Sequence, residues 1–337
     1  MASQNTGNHE EPPASSDPRR WRSAAKDIDV APPDGAYPIS RGAPERKLQR
    51  VNRYDRRAML VHRQQLAPTG TLGLSFLVVD GQPFEFHPGY FIAIQAEADD
   101  LDKRRSPYCI TSPPGDDGTF RLVVRLVEGG QLSDHLQGLG VGDVINFRGP
   151  SGRTMMPRRA VDQLVLLATG VGIGPFLSLC PPLLAGGFAE PIHLYWGLRQ
   201  VEDICLVDEL DALARDHANF DYRISLSEPP PGWTGLRGRL TESVPSLLGQ
   251  LGNTLFYLVG NGAMIEEVST VLSDLGVDQR DVYQEAYFNS RYRPDAATLA
   301  GIRERFVARD LFSPYAHLEA GLYLPETPVT RSRARRR

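Results

Sequence analysis

The residues with the clearest chemical potential lie at 163–179, QLVLLATGVGIGPFLSL. An apolar run ends at Ala168, breaks into Thr169, Gly170, Val171, Gly172 and Gly174, and restarts at Pro175. This spacing predicts a buried strand, a glycine turn and a helix whose first backbone N–H groups have no partner within the helix, an arrangement suited to a phosphate. Pro175 fits the first helical turn, where its missing N–H costs nothing. The same residues also describe an ordinary glycine-rich turn of an α/β fold, and the stretch by itself leaves both readings open.

The elements that would position this turn change in character along the chain. Residues 58–64, 72–79, 90–95, 120–127 and 144–148 read as short strands separated by Pro68, Gly70, Gly81, Pro83, Pro88 and Gly89. Phe120, Leu122 and Val124 share one face of their strand, while Arg121 and Arg125 share the other. With one helical piece at 129–136, capped by Ser133 or a glycine, the pattern predicts an antiparallel sheet or small barrel. Beyond Pro150, strands at 164–168, 192–196, 222–226 and 255–259 alternate with helices at 176–184, 207–217, 240–248 and 264–275. Such alternation predicts βαβ units and a parallel sheet, whose ligands sit at the carboxyl ends of the strands.

At 337 residues the chain exceeds the usual single-domain size, so two cores are expected. The division reads as a disordered leader at 1–48, a β-barrel domain at 49–152, an α/β domain at 153–290 and an extension at 291–337. The extension holds a helix at 298–311 and closes in RSRARRR, read as a solvated tail. A net charge of −4 predicts no whole-surface attraction to nucleic acid or membrane. No apolar run has the length of a membrane span and the N-terminus lacks a signal-peptide core, so the expected location is the cytoplasm. Cys109, Cys180 and Cys205 are widely spaced, which excludes a thiolate-held zinc or iron–sulfur centre within the chain.

Four local sequences in order, Arg105-Ser-Pro-Tyr108-Cys109-Ile110-Thr111-Ser112, Gly130-Gln131-Leu132-Ser133, Thr169 to Phe176, and Gly260-Asn261-Gly-Ala-Met264-Ile265, together resemble the ferredoxin-NADP reductase superfamily. The likeness runs over residues 54–288. It implies an FAD-binding barrel in which Tyr108 stacks on the flavin ring, Cys109 approaches its reactive nitrogen, and Ile110 and Thr111 continue the motif. Two departures stand out. The arginine precedes the tyrosine by three residues instead of two, so either Arg105 reaches the FAD pyrophosphate by a different path or Arg104 replaces it. Cys109 stands where serine or threonine is usual and is the weaker hydrogen-bond donor.

The resemblance assigns Gly130 to Ser133 to the FAD pyrophosphate, although Ser133 as a simple helix cap fits equally. It assigns the residues from Thr169 to Pro175 to the pyrophosphate of a nicotinamide nucleotide, and Gly260, Asn261 and Met264 to the nicotinamide side. Val259 replaces the family's usual cysteine. Arg199, Arg237 and Arg239, with Ser227, stand where a 2′-phosphate is gripped, whereas Glu228 would repel one; NADP is favoured and NAD remains open. Tyr283-Gln-Glu285-Ala-Tyr287-Phe288 resembles the family's carboxylate-and-aromatic segment, which implies that Tyr287 and Phe288 cover the flavin and that Glu285 relays protons or orients the nicotinamide, although a last strand with an exposed tail fits Glu285 as well; Cys109 and Glu285 are the catalytic candidates. The implied activity is a flavoprotein reductase passing electrons to ferredoxin, flavodoxin or another one-electron acceptor. Two rivals share these residues: the reductase component of an oxygenase, and a nucleotide-binding regulatory subunit with little turnover.

Overall fold

The structure, a computed structural model, describes residues 55–95, 105–127, 131–249 and 251–287. The expected leader, Arg104, Gly130, Phe288, the helix at 298–311 and the arginine-rich tail lie outside these residues, as do the side chains of Arg105 and Gln131.

Strands β1 (Arg56–Ala67), β2 (Thr71–Val78), β3 (Phe91–Gln95), β4 (Arg105–Cys109), β5 (Thr119–Arg125) and β6 (Val144–Ser151) form a six-stranded sheet ordered β4-β3-β6-β1-β2-β5. Neighbours pair antiparallel. A bridge between Ile110 and Leu122, with Thr111 N donating to Arg121 O at 2.8 Å, brings the β4 and β5 edges together. The alternation read in the sequence is what fills the interior: Phe120 and Leu122 point inward with Leu72, Leu74, Phe76, Ile92 and Phe147. Phe76 stacks on Phe120 at 5.3 Å. Arg56 is fully buried, yet its guanidinium is answered by Asp80 and the carbonyls of Gln82 and Pro83.

Helix α1 (Gln131–Gly138) belongs to this half. Ser133 does not cap it: the residue lies within the helix, and its hydroxyl accepts from Val127 N at 2.9 Å.

The second sheet contains β7 (Gln163–Thr169), β8 (Ile192–Leu198), β9 (Phe220–Leu226), β10 (Leu236–Arg237), β11 (Thr254–Asn261) and β12 (Val282–Tyr287), in the order β10-β9-β8-β7-β11-β12. All neighbours are parallel. Helices α2 (Gly174–Ala185), α3 (Val207–Asp216), α4 (Leu240–Ser243) and α5 (Gly262–Asp274) connect them. Residues alternate between two cores, with Leu164, Leu166 and Ala168 in one and Val165 and Leu167 in the other. The helix expected at 240–248 is shorter than read, because Pro245 starts a separate 3-10 turn, Pro245–Leu247. Strand order reverses between β7 and β11, so a crevice is expected beyond their carboxyl ends.

Candidate functional site

Residues expected to hold phosphate stand at that reversal. After β7, Gly170–Ile173 forms a 3-10 turn and α2 begins at Gly174 with Pro175 in its first turn. Three glycines are explained by close approach. A Cβ on Gly172 would stand 2.5 Å from Val259 O, one on Gly260 would collide with the Thr169 hydroxyl, and Gly260 takes φ +130. A Cβ on Gly174 would lie 2.9 Å from Thr111 Oγ1, so the nucleotide turn abuts the barrel segment that follows β4. Gly170, at φ +55, has nothing within 4 Å of the Cβ position and faces open space. This cradle of glycines beside an open face fits a bound pyrophosphate.

Polar groups fix the turn. The Thr169 hydroxyl accepts from Asn261 N at 2.7 Å, tying β7 to β11, and Trp196 Nε1 donates to Gly170 O at 2.8 Å. Asn261 caps α5 by accepting from Ala263 N at 2.9 Å. Met264 sits in the core, 7% exposed, behind this cap.

On the barrel side, Tyr108 is half-buried and packs against the interior cluster; burial holds its hydroxyl protonated, with the pKa pushed up to about 12. Ile110 and Thr111 are buried, Ile110 within the barrel core, and Thr111 Oγ1 accepts from Val123 N at 3.2 Å. Leu132 is buried in the same core.

The two sheets meet at Cys109, whose Sγ donates to Glu285 Oε1 at 2.5 Å. Tyr283 OH donates to Oε2 at 3.1 Å, and the buried Tyr287 hydroxyl lies beside both groups without a hydrogen bond of good geometry. Burial raises the pKa of Glu285 above its ordinary value, against the lowering effect of its donors. Burial, followed by the adjacent Glu285, pushes the Cys109 thiol well above its ordinary value. A thiol so held keeps its proton, serving as a hydrogen-bond donor and a poor nucleophile, and the carboxyl can hold a proton that an exposed glutamate would release.

Because the second sheet is parallel, its other candidates arrive at the same end. Arg199, just after β8, pairs with Glu228 through Nε–Oε1 at 2.9 Å, both exposed. Ser227 N donates to Leu198 O at 3.1 Å, and β10 places Arg237 opposite Leu226. Arg237 donates to Trp233 O at 2.8 Å, and Arg239 N donates to Glu242 Oε2 at 3.1 Å. Sequence reasoning missed the Thr169–Asn261 tie and the Tyr283 contact, since each joins residues whose nearness depends on strand order. The Arg121 and Arg125 alternation was visible, but not the carboxylates that answer it.

Residues 68–156 match the family described as Oxidoreductase FAD-binding domain, and residues 166–270 match Oxidoreductase NAD-binding domain. The chain is 32% identical over 221 residues to Ferredoxin--NADP reductase B of Sorangium cellulosum, covering 64% of this chain and 90% of that one. It is 28% identical over 210 residues to the ferredoxin--NAD(P)(+) reductase component of the naphthalene 1,2-dioxygenase/salicylate 5-hydroxylase systems of Ralstonia, covering 62% of each. The cytochrome P450 reductase of Amycolatopsis shares the fold with TM-score 0.62 at 22% identity, over 69% of each chain. The parallel sheet and the barrel beside it are thus the NAD-binding and FAD-binding domains of an oxidoreductase, and the chain belongs to the ferredoxin-NADP reductase superfamily.

Proposed function

We propose that the chain is a flavoprotein reductase that takes hydride from NAD(P)H and delivers electrons singly to a separate ferredoxin-type carrier. The observation that carries this reading is the Cys109–Glu285 contact, which joins the barrel segment at Tyr108 to the sheet edge bearing the glycine cradle. Bound FAD would supply the conversion from two-electron to one-electron chemistry. Tyr108 offers the flat face for the flavin ring, with Ile110 and Thr111 as its backing, and residues 130–133 with Arg105 serve the FAD pyrophosphate. Cys109 and Glu285 hold a proton where hydride arrives, and Tyr287 and Phe288 shield that point from water. The units are read as residues 49–152 for FAD and 153–290 for the nucleotide.

Thr169, Gly170, Val171, Gly172 and Pro175 seat the nucleotide pyrophosphate, with Gly260, Asn261 and the buried Met264 bounding the nicotinamide side. Arg199, Arg237 and Arg239 outnumber Glu228 and Glu242 at the ribose end, which favours NADPH over NADH. Ferredoxin is the first candidate acceptor, as in the name of the Sorangium relative; flavodoxin or an oxygenase component are further candidates. No helix among the described residues is long and apolar enough to cross a membrane, and we place the protein in the cytoplasm.

Reconstitution with FAD followed by anaerobic titration tests the reading. A yellow protein bleached by NADPH at lower concentration than by NADH supports it. A protein that stays colourless with FAD and reduces no dye with either nucleotide overturns it, whereas tight FAD binding without nucleotide oxidation would favour a regulatory subunit.

A further inference from the structure

A second junction between the sheets lies along β5, away from Cys109. The outward residues of this strand are Arg121, Val123 and Arg125. Arg121 grips Glu209 of α3 with both terminal nitrogens, at 2.7 and 2.6 Å. Arg125 NH1 reaches Asp203 at 2.8 Å and Thr69 at 2.8 Å. Between them Val123 is buried, with Leu66 and Ala67, in the same apolar cluster as Cys205, Leu206 and Val207.

Isolated exposed ion pairs contribute little, but these two share one rigid platform. Asp203 and Glu209 flank Leu206, which holds φ 60, left-handed backbone that a leucine adopts only when its surroundings impose it. Cys205 lies among the four charged groups: burial, joined by the two carboxylates, carries its thiol up to about 12, while the two arginines act the other way. The backbone of β5 continues into the flavin segment. Arg121 N donates to the Ser112 hydroxyl at 3.1 Å, Thr111 N donates to Arg121 O at 2.8 Å, and Val123 N donates to the Thr111 hydroxyl that meets Gly174 at the start of α2.

We propose that this edge of β5 is a latch that sets the flavin segment against the nucleotide turn, with Arg121 and Arg125 as positioning residues for hydride transfer. Hydride transfer falls steeply with small misplacement of the reacting atoms, so a latch remote from them can govern its rate. The kinetic consequence rests on the reductase reading; the latch itself does not.

The double variant Arg121→Gln with Arg125→Gln tests it in two ways. In the apoprotein, maleimide labelling of Cys205, resolved from Cys180 by peptide mass, is expected to rise about tenfold with Cys180 unchanged. In the FAD-loaded protein, the limiting rate of flavin reduction at saturating NADPH is expected to fall about tenfold with FAD content unchanged. Each single reversal, Arg121→Glu or Glu209→Arg, should show both defects, and the two together should restore wild-type values. Cys205 labelling at the wild-type rate overturns the latch, as does a double reversal no better than its singles. Equal labelling of Cys180 would report global unfolding, in which case Glu209→Gln is read by the same two rates. A wild-type protein that reduces no flavin overturns the proposed function, and Cys205 labelling still decides the latch.

Discussion

The barrel meets the parallel sheet at two junctions of opposite electrostatic character. At β4 the carboxylate is Glu285, whose hydrogen-bond partners are the Cys109 thiol and the Tyr283 hydroxyl, neither of them a cation. At β5 the carboxylate is Asp203, answered by Arg125. Burial pushes both acids upward, but Asp203 ends below its ordinary value because Thr69 and Arg125 outweigh burial, whereas Glu285 ends above. The same burial thus yields a proton holder where no counter-charge is provided and a fixed anchor where one is. On the readings proposed above, chemistry and alignment fall to different edges of one barrel.

Substitutions should separate the two. Glu285→Gln keeps the shape of the first junction but removes the titrating group; flavin reduction should fall roughly 100-fold in rapid mixing while Cys205 labelling is unchanged. Gly172→Ala strikes the packing behind that junction, where the added carbon meets Val259 O at 2.5 Å. A loss of about 1–3 kcal/mol in urea unfolding is expected. Arg199→Ala should raise KM for NADPH roughly tenfold and leave NADH unaffected, since only the former carries the additional phosphate.

The smallest effects concern pH, and they have opposite signs. Glu285 has a raised folded pKa, so the folded state binds the proton more tightly, and stability should decline as pH rises from the ordinary glutamate value through the raised one. Asp203 has a lowered one, so its contribution is present above the ordinary aspartate value and is lost as pH falls through the lowered value. Urea unfolding across pH should show the first decline absent in Glu285→Gln and the acid-side loss diminished in Asp203→Asn.

Local patterns revealed the segments whose neighbours are close in sequence. The glycine turn at Thr169–Gly174, the inward alternation of Phe120, Leu122 and Val124, and the alternating strands and helices beyond Pro150 were all legible because each rests on a short repeat. Strand β4 was not read as a strand, since Pro107 interrupts it; the proline is tolerated because β4 stands at one end of the sheet order. Ser133 looked like a cap because hydroxyls commonly start helices, but the Val127 amide claims it. The Arg121 and Arg125 stripe was visible without its purpose, because Glu209 and Asp203 lie 88 and 78 residues further on. Cys109 and Glu285 were each named through family resemblance, but their contact across 176 residues was not legible, because it depends on how the two sheets meet.

The most direct test of the central claim, that hydride crosses at the Cys109–Glu285 junction, is anaerobic rapid mixing of the FAD-loaded protein with NADPH carrying deuterium at the transferred position. Bleaching of the flavin should slow with deuterium, and bleaching in Glu285→Gln should be much slower and still deuterium-sensitive. Flavin reduction at the wild-type rate in Glu285→Gln would contradict it.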